Sequence, residues 1–459
     1  MTLATDPVLA PVVADLPPVE RAARIPAGFA AAGATAGIKA SGRPDLVLIV
    51  AECGRVPAAA VFTPNRFAAA PVLLSRANLQ ATGGGSAAAG YVQVIISTSG
   101  SANAATGPAG DADQAAIGEA LAGSLAVPEA EILHLSTGII GTRLPVDLVK
   151  TAIARVVGGG LAATDAALAS AAAALRTTDT TTKMATTTVA APAASGHGTV
   201  EVTVTGIAKG VGMIHPNMAT MLSVVLTDAT ADPATLHSLL RGTAARTWDQ
   251  LSVDGDTSTN DTVFLLASGK AGAADASTDA GARAALGGAI EAVGRDLARQ
   301  QAADGEGATA LVTCQVTGAA DDADARAIAR AVISSSLVKA AVHGRDPNWG
   351  RIAGAAGNAT LAQRAVLEAS GLDATEAASR AGGPAALDTN TLRIAIAGHL
   401  VYDGPSGGPV DVDKAAAREA MGGAEVLIRL DLGLGRGSGE AFGCDLTEEY
   451  VRENSEYTT

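Results

Sequence analysis

Residues 200–205 read VEVTVT, a strict two-residue alternation that suits a half-buried strand, and residues 221–227 form a second, apolar run of strand character. The loop between them, KGVGMIHPNMAT from Lys209 to Thr220, places a bond between two small residues, Ala219 and Thr220, at the doorstep of the second strand. A threonine there is ordinary while the chain is whole. Once the chain is cut before it, Thr220 carries a hydroxyl and a free α-amine on one residue. An α-amine titrates at about 7.7–8.0, against about 10.4 for a lysine, so much of it is unprotonated near neutral pH. A threonine hydroxyl activated by its own N-terminal amine is a recognised nucleophile–base pair.

The rest of the sequence bounds what could surround this loop. At 459 residues the chain is long enough for two cores. Only 2% of residues are aromatic while 53 are glycine, so those cores must be built from Val, Leu, Ile and Ala, with close backbone approaches. A net charge of −14 without any basic stripe argues against nucleic acid. No apolar run reaches the roughly 18 residues of a membrane span. The opening MTLATDPVLAPVVADLPPVE lacks a basic leader and reads as a loose extension, so a cytoplasmic location is expected. Cys53, Cys314 and Cys444 are too scattered for a disulfide framework or a zinc site, and buried, inert thiols are expected.

Short β-branched runs predict strands at 46–51, 91–97, 262–267, 310–316 and 426–432, with a further strand region at 391–402. Helical patterning predicts helices at 111–125, 145–157, 161–175, 233–247 and 280–301, one long helix over 321–342, and a final helix near 446–454. Residues 184–199 read as a flexible connector. The mixture lacks a regular βαβ rhythm, which gives an α+β class with layered sheets.

Acyl transfer needs oxyanion donors beside a nucleophile. STGIIG, from Ser136 to Gly141, is a small-residue loop whose glycines would let N–H groups approach an oxygen, although such a turn is more often purely structural. His215 could serve as a base, but beside Pro216 it reads as a packing or capping residue. Lys183 reads as an ordinary surface lysine, and VDGDTSTND (253–261) and RDPNWGR (345–351) read as hydrogen-bonded turns.

KGVGMIHPNMATML resembles the self-processing signature of the ornithine acetyltransferases, the glutamate N-acetyltransferases of arginine biosynthesis, and the resemblance runs from about Ala23 to Thr459. It implies an αββα sandwich with two facing sheets flanked by helices, and a smaller C-terminal α/β domain. The expected division is an extension over 1–22, a catalytic domain over 23–320 and a C-terminal domain over 321–459. Cleavage between Ala219 and Thr220 would give chains of 1–219 and 220–459, assembled as two of each. The resemblance assigns Thr137 and Gly138 to the oxyanion hole. It assigns Thr177 of TTDT, Lys209, Thr220, Glu306 of GEGAT, and Asn454 and Thr459 of the terminal NSEYTT to substrate binding. Ala310 stands where the family usually has lysine, a departure that bears on affinity.

The implied reaction moves an acetyl group from N²-acetylornithine to the Thr220 hydroxyl and then to glutamate, without metal or organic cofactor. Some members also take acetyl-CoA as donor. The rivals are an N-terminal-threonine amidase or aminopeptidase with water as acceptor, and a non-catalytic metabolite-binding relative.

Overall fold

The computed structural model describes residues 15–215 and 221–455. Its framework is set by strands that bury both faces. In Leu46–Ala51, Leu46, Leu48 and Val50 enter one core while Val47, Ile49 and Ala51 enter another, as a two-residue repeat requires. This strand lies inside a four-stranded sheet ordered Phe29–Ala34, Leu46–Ala51, Val94–Ser101, Ile132–Ile139. A six-stranded sheet faces it, ordered Ala89–Val92, Val56–Phe62, Thr262–Ala267, Leu222–Thr227, Thr199–Lys209, Lys183–Pro192.

The side chains sort into layers. Val47, Ile49, Leu133 and Leu135 of the first sheet share a core with Ile207, Leu222, Val224 and Phe264 of the second. On the outer side of the first sheet lie helices Gly107–Leu125 and Val146–Val157, contributing Ile117, Leu121, Val149 and Ile153. On the outer side of the second lie helices Pro233–Arg246 and Ala280–Ala303, contributing Leu236, Leu240, Val293 and Leu297. The fold is therefore α+β, an αββα sandwich of facing sheets between helices.

Helix Ala280–Ala303 also meets a third sheet, of seven strands, through Phe442 and Cys444. That sheet is ordered Leu251–Ser252, Gly437–Cys444, Leu311–Ala319, Glu425–Asp431, Arg393–Ile396, His399–Asp403, Gly408–Pro409. Helix Asp322–Ser334 covers its other face with Ile328 and Val332. Among the described residues no helix is long and apolar enough to cross a membrane.

Several expectations change, among them the strand over 91–97, which is split between Ala89–Val92 and Val94–Ser101 in different sheets. The helix over 321–342 is two, Asp322–Ser334 and Ser336–His343, because the Ser335 hydroxyl caps the second by accepting from Val338 N at 3.3 Å. Residues 184–199 are mostly strand: Lys183–Pro192 pairs antiparallel along Thr199–Lys209, leaving only 193–198 as a turn. The described part of the extension is tied down from Pro18, whose carbonyl accepts the Thr187 hydroxyl at 2.7 Å, and Glu20 pairs with Thr186. Cys53 is exposed, while Cys314 and Cys444 are buried and their thiols are pushed up by that burial.

With few aromatic rings to span gaps, helices and strands come close. A Cβ at Gly206 would lie 2.6 Å from Leu297 Cδ1 and 2.7 Å from Val293 Cγ1. Gly206→Val should therefore cost about 1–3 kcal/mol by overpacking. A lowered thermal midpoint checks this; an unchanged one would mean that helix Ala280–Ala303 yields without strain.

Candidate active site

The first sheet supplies one wall. Strand Ile132–Ile139 runs parallel to Val94–Ser101 and turns out at Gly138, where φ is +136°. A Cβ there would lie 2.3 Å from the Gly100 carbonyl carbon, so backbone meets backbone and only glycine fits. Asn260 Nδ2 fixes this loop by donating to the Ser136 and Ala102 carbonyls at 2.8 and 2.7 Å. The second sheet supplies the facing wall: Lys209 ends strand Thr199–Lys209, and its ammonium donates to Thr137 Oγ1 at 3.0 Å.

Between them is a cavity of about 250 Å³, lined among others by Thr137, Gly138, Thr177, Lys209, Glu306 and Asn454. Every described residue that the sequence reading assigned to the site borders it. Ala219, Thr220 and Thr459 lie outside the described residues. Met221, the neighbour of Thr220, does line the cavity, and its N–H donates to Asp261 Oδ1 at 3.0 Å.

Glu306 is held from two directions. Its carboxylate accepts from the Thr178 hydroxyl at 2.9 Å and from Asn454 Nδ2 at 3.0 Å, and the latter brings the last helix, Glu448–Ser455, to the cavity. Gly212 leaves it room, since a Cβ there would sit 2.1 Å from Glu306 Oε2.

Behind the cavity lies a buried ionic cluster. Lys183, 0% exposed, donates to Asp179 at 2.8 Å and to Asp304 at 2.6 Å. It is thus a core cation and not the surface lysine expected, because two carboxylates enclose it. Asp179 also accepts from Gly210 N at 2.8 Å, next to Lys209. Burial pushes the Asp179 carboxyl up, but Lys209, Lys183 and the Gly210 N–H more than offset this and hold it well below the usual carboxylate range. Burial pushes the Lys209 ammonium below its ordinary range, with Asp179 pulling it back.

Several cavity residues were not assigned from sequence. Thr178 joins Thr177, and Ser258, Thr259, Asn260 and Asp261 line the wall. The polar density of 253–261 was the available signal; its long-range partners were not. His215 is a packing residue as read, with Nδ1 3.0 Å from Ser252 Oγ, and burial lowers its pKa to about 4 with help from Arg330. RDPNWGR is structural: Asn348 caps helix Trp349–Gly357, and Trp349 stacks on Tyr402 at 4.8 Å.

Chemically, the cavity combines a buried ammonium, a carboxylate and a glycine-lined loop with a hydroxyl, which suits a small substrate carrying both charges. Removing Lys183 tests the support behind it. Lys183→Met leaves Asp179 and Asp304 buried without their shared cation, which should cost about 3–5 kcal/mol. Urea denaturation measures it, and a loss below about 1 kcal/mol, the range of an exposed pair, would show that the cluster carries no such weight.

Comparison with known proteins identifies the family. The ArgJ family model matches residues 30–459. The arginine biosynthesis bifunctional protein ArgJ of Synechococcus sp. is 44% identical over 440 residues, covering 95% of this chain and 96% of its own. That of Synechocystis sp. is 42% identical over 463 residues, covering 97% and 100%. A solved structure of ornithine acetyltransferase complexed with ornithine, from Mycobacterium tuberculosis, is 37% identical with a TM-score of 0.37, covering 43% of this chain and 97% of that one. The chain belongs to the ArgJ family and is an N-acetyltransferase.

Proposed function

We propose that this protein cleaves itself between Ala219 and Thr220 and then carries acetyl from N²-acetylornithine to glutamate on the Thr220 hydroxyl. One observation carries the reading: Thr137, Gly138, Lys209, Glu306 and Met221, the neighbour of Thr220, border a single cavity. The relatives' place in arginine biosynthesis supports the substrates.

In the precursor, the Thr220 hydroxyl attacks the Ala219 carbonyl, and the acyl chain moves from nitrogen to oxygen. Water hydrolyses that ester and frees the Thr220 amine. The antiparallel pairing of Val204–Lys209 with 222–227 lies outside the cut bond and would keep the two chains together.

In turnover, the amine takes the hydroxyl proton as the oxygen attacks the acetyl carbonyl. The Thr137 oxygen accepts from Lys209, which leaves its own hydrogen to turn toward the oxyanion beside the Gly138 N–H. Collapse expels the ornithine amine, which takes up the proton. The glutamate amine then attacks the acetyl ester and regenerates the threonine. Lys209 suits the α-carboxylate common to both amino acids. Glu306, with Asn454 and Thr178, suits the side-chain amine of ornithine; Thr177 and Thr459 complete the proposed binding set.

Thr220→Ala should give one uncut chain by intact mass and no release of ornithine; a cleaved or active Thr220→Ala protein would sink the scheme. In the parent, ornithine release beyond one equivalent per active site should require glutamate, and sustained release without it would instead indicate a hydrolase. Thr137→Val should lower kcat by about 10²–10³-fold, the usual cost of one oxyanion donor. A change in KM alone would assign Thr137 to binding.

A further inference from the structure

A second cavity, of about 280 Å³, opens between helix Asp322–Ser334 and the segment around residues 358–370. Its inner wall holds Arg326 and Arg330, four residues apart and so on one helix face, with Ser334 one turn further on. Arg326 is only 7% exposed, and its Nη2 is buried without a hydrogen-bond partner among the described residues. Asp322 pairs with it only loosely, at 4.0 Å, and its own side chain is 62% exposed. The Ser334 hydroxyl is likewise buried without a partner. The carboxylate on the wall, Asp249, is engaged by Arg241 at 2.7 Å. Exposed Asn358, Thr360 and Gln363 form a polar mouth.

A guanidinium stays charged in proteins, and a buried charge is costly unless an opposite charge meets it. Burial lowers the pKa of both arginines, with Asp322 pulling Arg326 back and Asp249 pulling Arg330 back, so it is the unpartnered Arg326 Nη2 that calls for a further anion. Planar guanidinium donors match the paired oxygens of carboxylate and phosphate groups. We propose that this cavity is a binding site for a small oxyanion, a carboxylate or phosphate group seated against Arg326, Arg330 and the Ser334 hydroxyl. It is distinct from the acetyl-transfer cavity, yet His215 lines it. The His215 carbonyl accepts the Thr257 hydroxyl at 2.8 Å, and the next residues are those leading to Thr220. An anion held here would lie beside His215, five positions before the proposed nucleophile in sequence.

The test is calorimetric titration of the intact protein with inorganic phosphate and, separately, with succinate, against chloride at matched ionic strength. Saturable binding of one or both is expected, and whichever binds more tightly identifies the source of the oxyanion. Arg326→Gln and Arg330→Gln should each weaken it about 10-fold or more, the worth of a charged hydrogen bond, while Lys209→Met should leave it in place. No saturable binding, equal binding in the arginine variants, or its loss in Lys209→Met would overturn the proposal. If an arginine variant fails to fold, crystals of the parent soaked in selenate decide the matter. Anomalous density between the two guanidiniums supports the site, and its absence there refutes it.

Discussion

The buried ammonium of Lys183 is the interaction on which the walls of the candidate site depend. It sits at the first residue of strand Lys183–Pro192 and joins Asp179, in the turn that carries Thr177 and Thr178, to Asp304, at the head of the loop that carries Glu306. Asp304 also accepts from the Thr180 and Thr181 N–H groups and from the Thr180 hydroxyl, and Asp179 accepts from Gly210 N. Three chain segments far apart in sequence are thereby fixed to one another just where each begins to line the cavity. A hydrophobic cluster of similar volume could be as stable. It would not orient these loops, because apolar contact has no direction, whereas each carboxylate oxygen accepts along defined lines.

The shortage of aromatic residues has a matching consequence. Without large rings, the layers close by letting glycine bring backbone against backbone or helix. Gly33 faces the Ser170 carbonyl, Gly206 faces helix Ala280–Ala303, and Gly138 faces Gly100. At Gly138 the same device that packs the sheet also turns a backbone segment into the cavity. Packing and proposed chemistry therefore share one constraint, since any side chain at that position would collide with Gly100 before it could disturb an oxyanion.

What could be read from the sequence followed from locality. Strands Leu46–Ala51 and Thr262–Ala267 were anticipated to the residue, because an uninterrupted apolar run between polar punctuation depends on nothing distant. The break at Ser335 was missed because the apolar spacing continues across it and only the cap marks the stop. Lys183 was misread for a different reason: Asp304 is 121 residues away, and no local pattern announces a partner at that range. Asn260 is similar, since its contact with Ser136 spans 124 residues. Resemblance to a known family covered part of this gap. Glu306 and Asn454, 148 residues apart and hydrogen-bonded at 3.0 Å, could not have been paired by spacing.

On the proposed reading, Lys209 is what favours a carboxylate over a neutral group in the cavity. Its ammonium is buried, its charge is disfavoured by that burial, and its partial compensation comes from Asp179, which already serves Lys183 and Gly210. A carboxylate entering beside Thr137 would add a second negative charge in a medium of low effective dielectric, where such a pairing is worth more than in water. A bound carboxylate would favour the charged form of the ammonium and would strengthen its bond to the Thr137 oxygen. On the proposed reading, the substrate's own carboxylate thus helps to set the hydroxyl that receives the oxyanion. Recognition and catalysis are then coupled through one lysine, and an acetylated amine lacking the carboxylate would lose both.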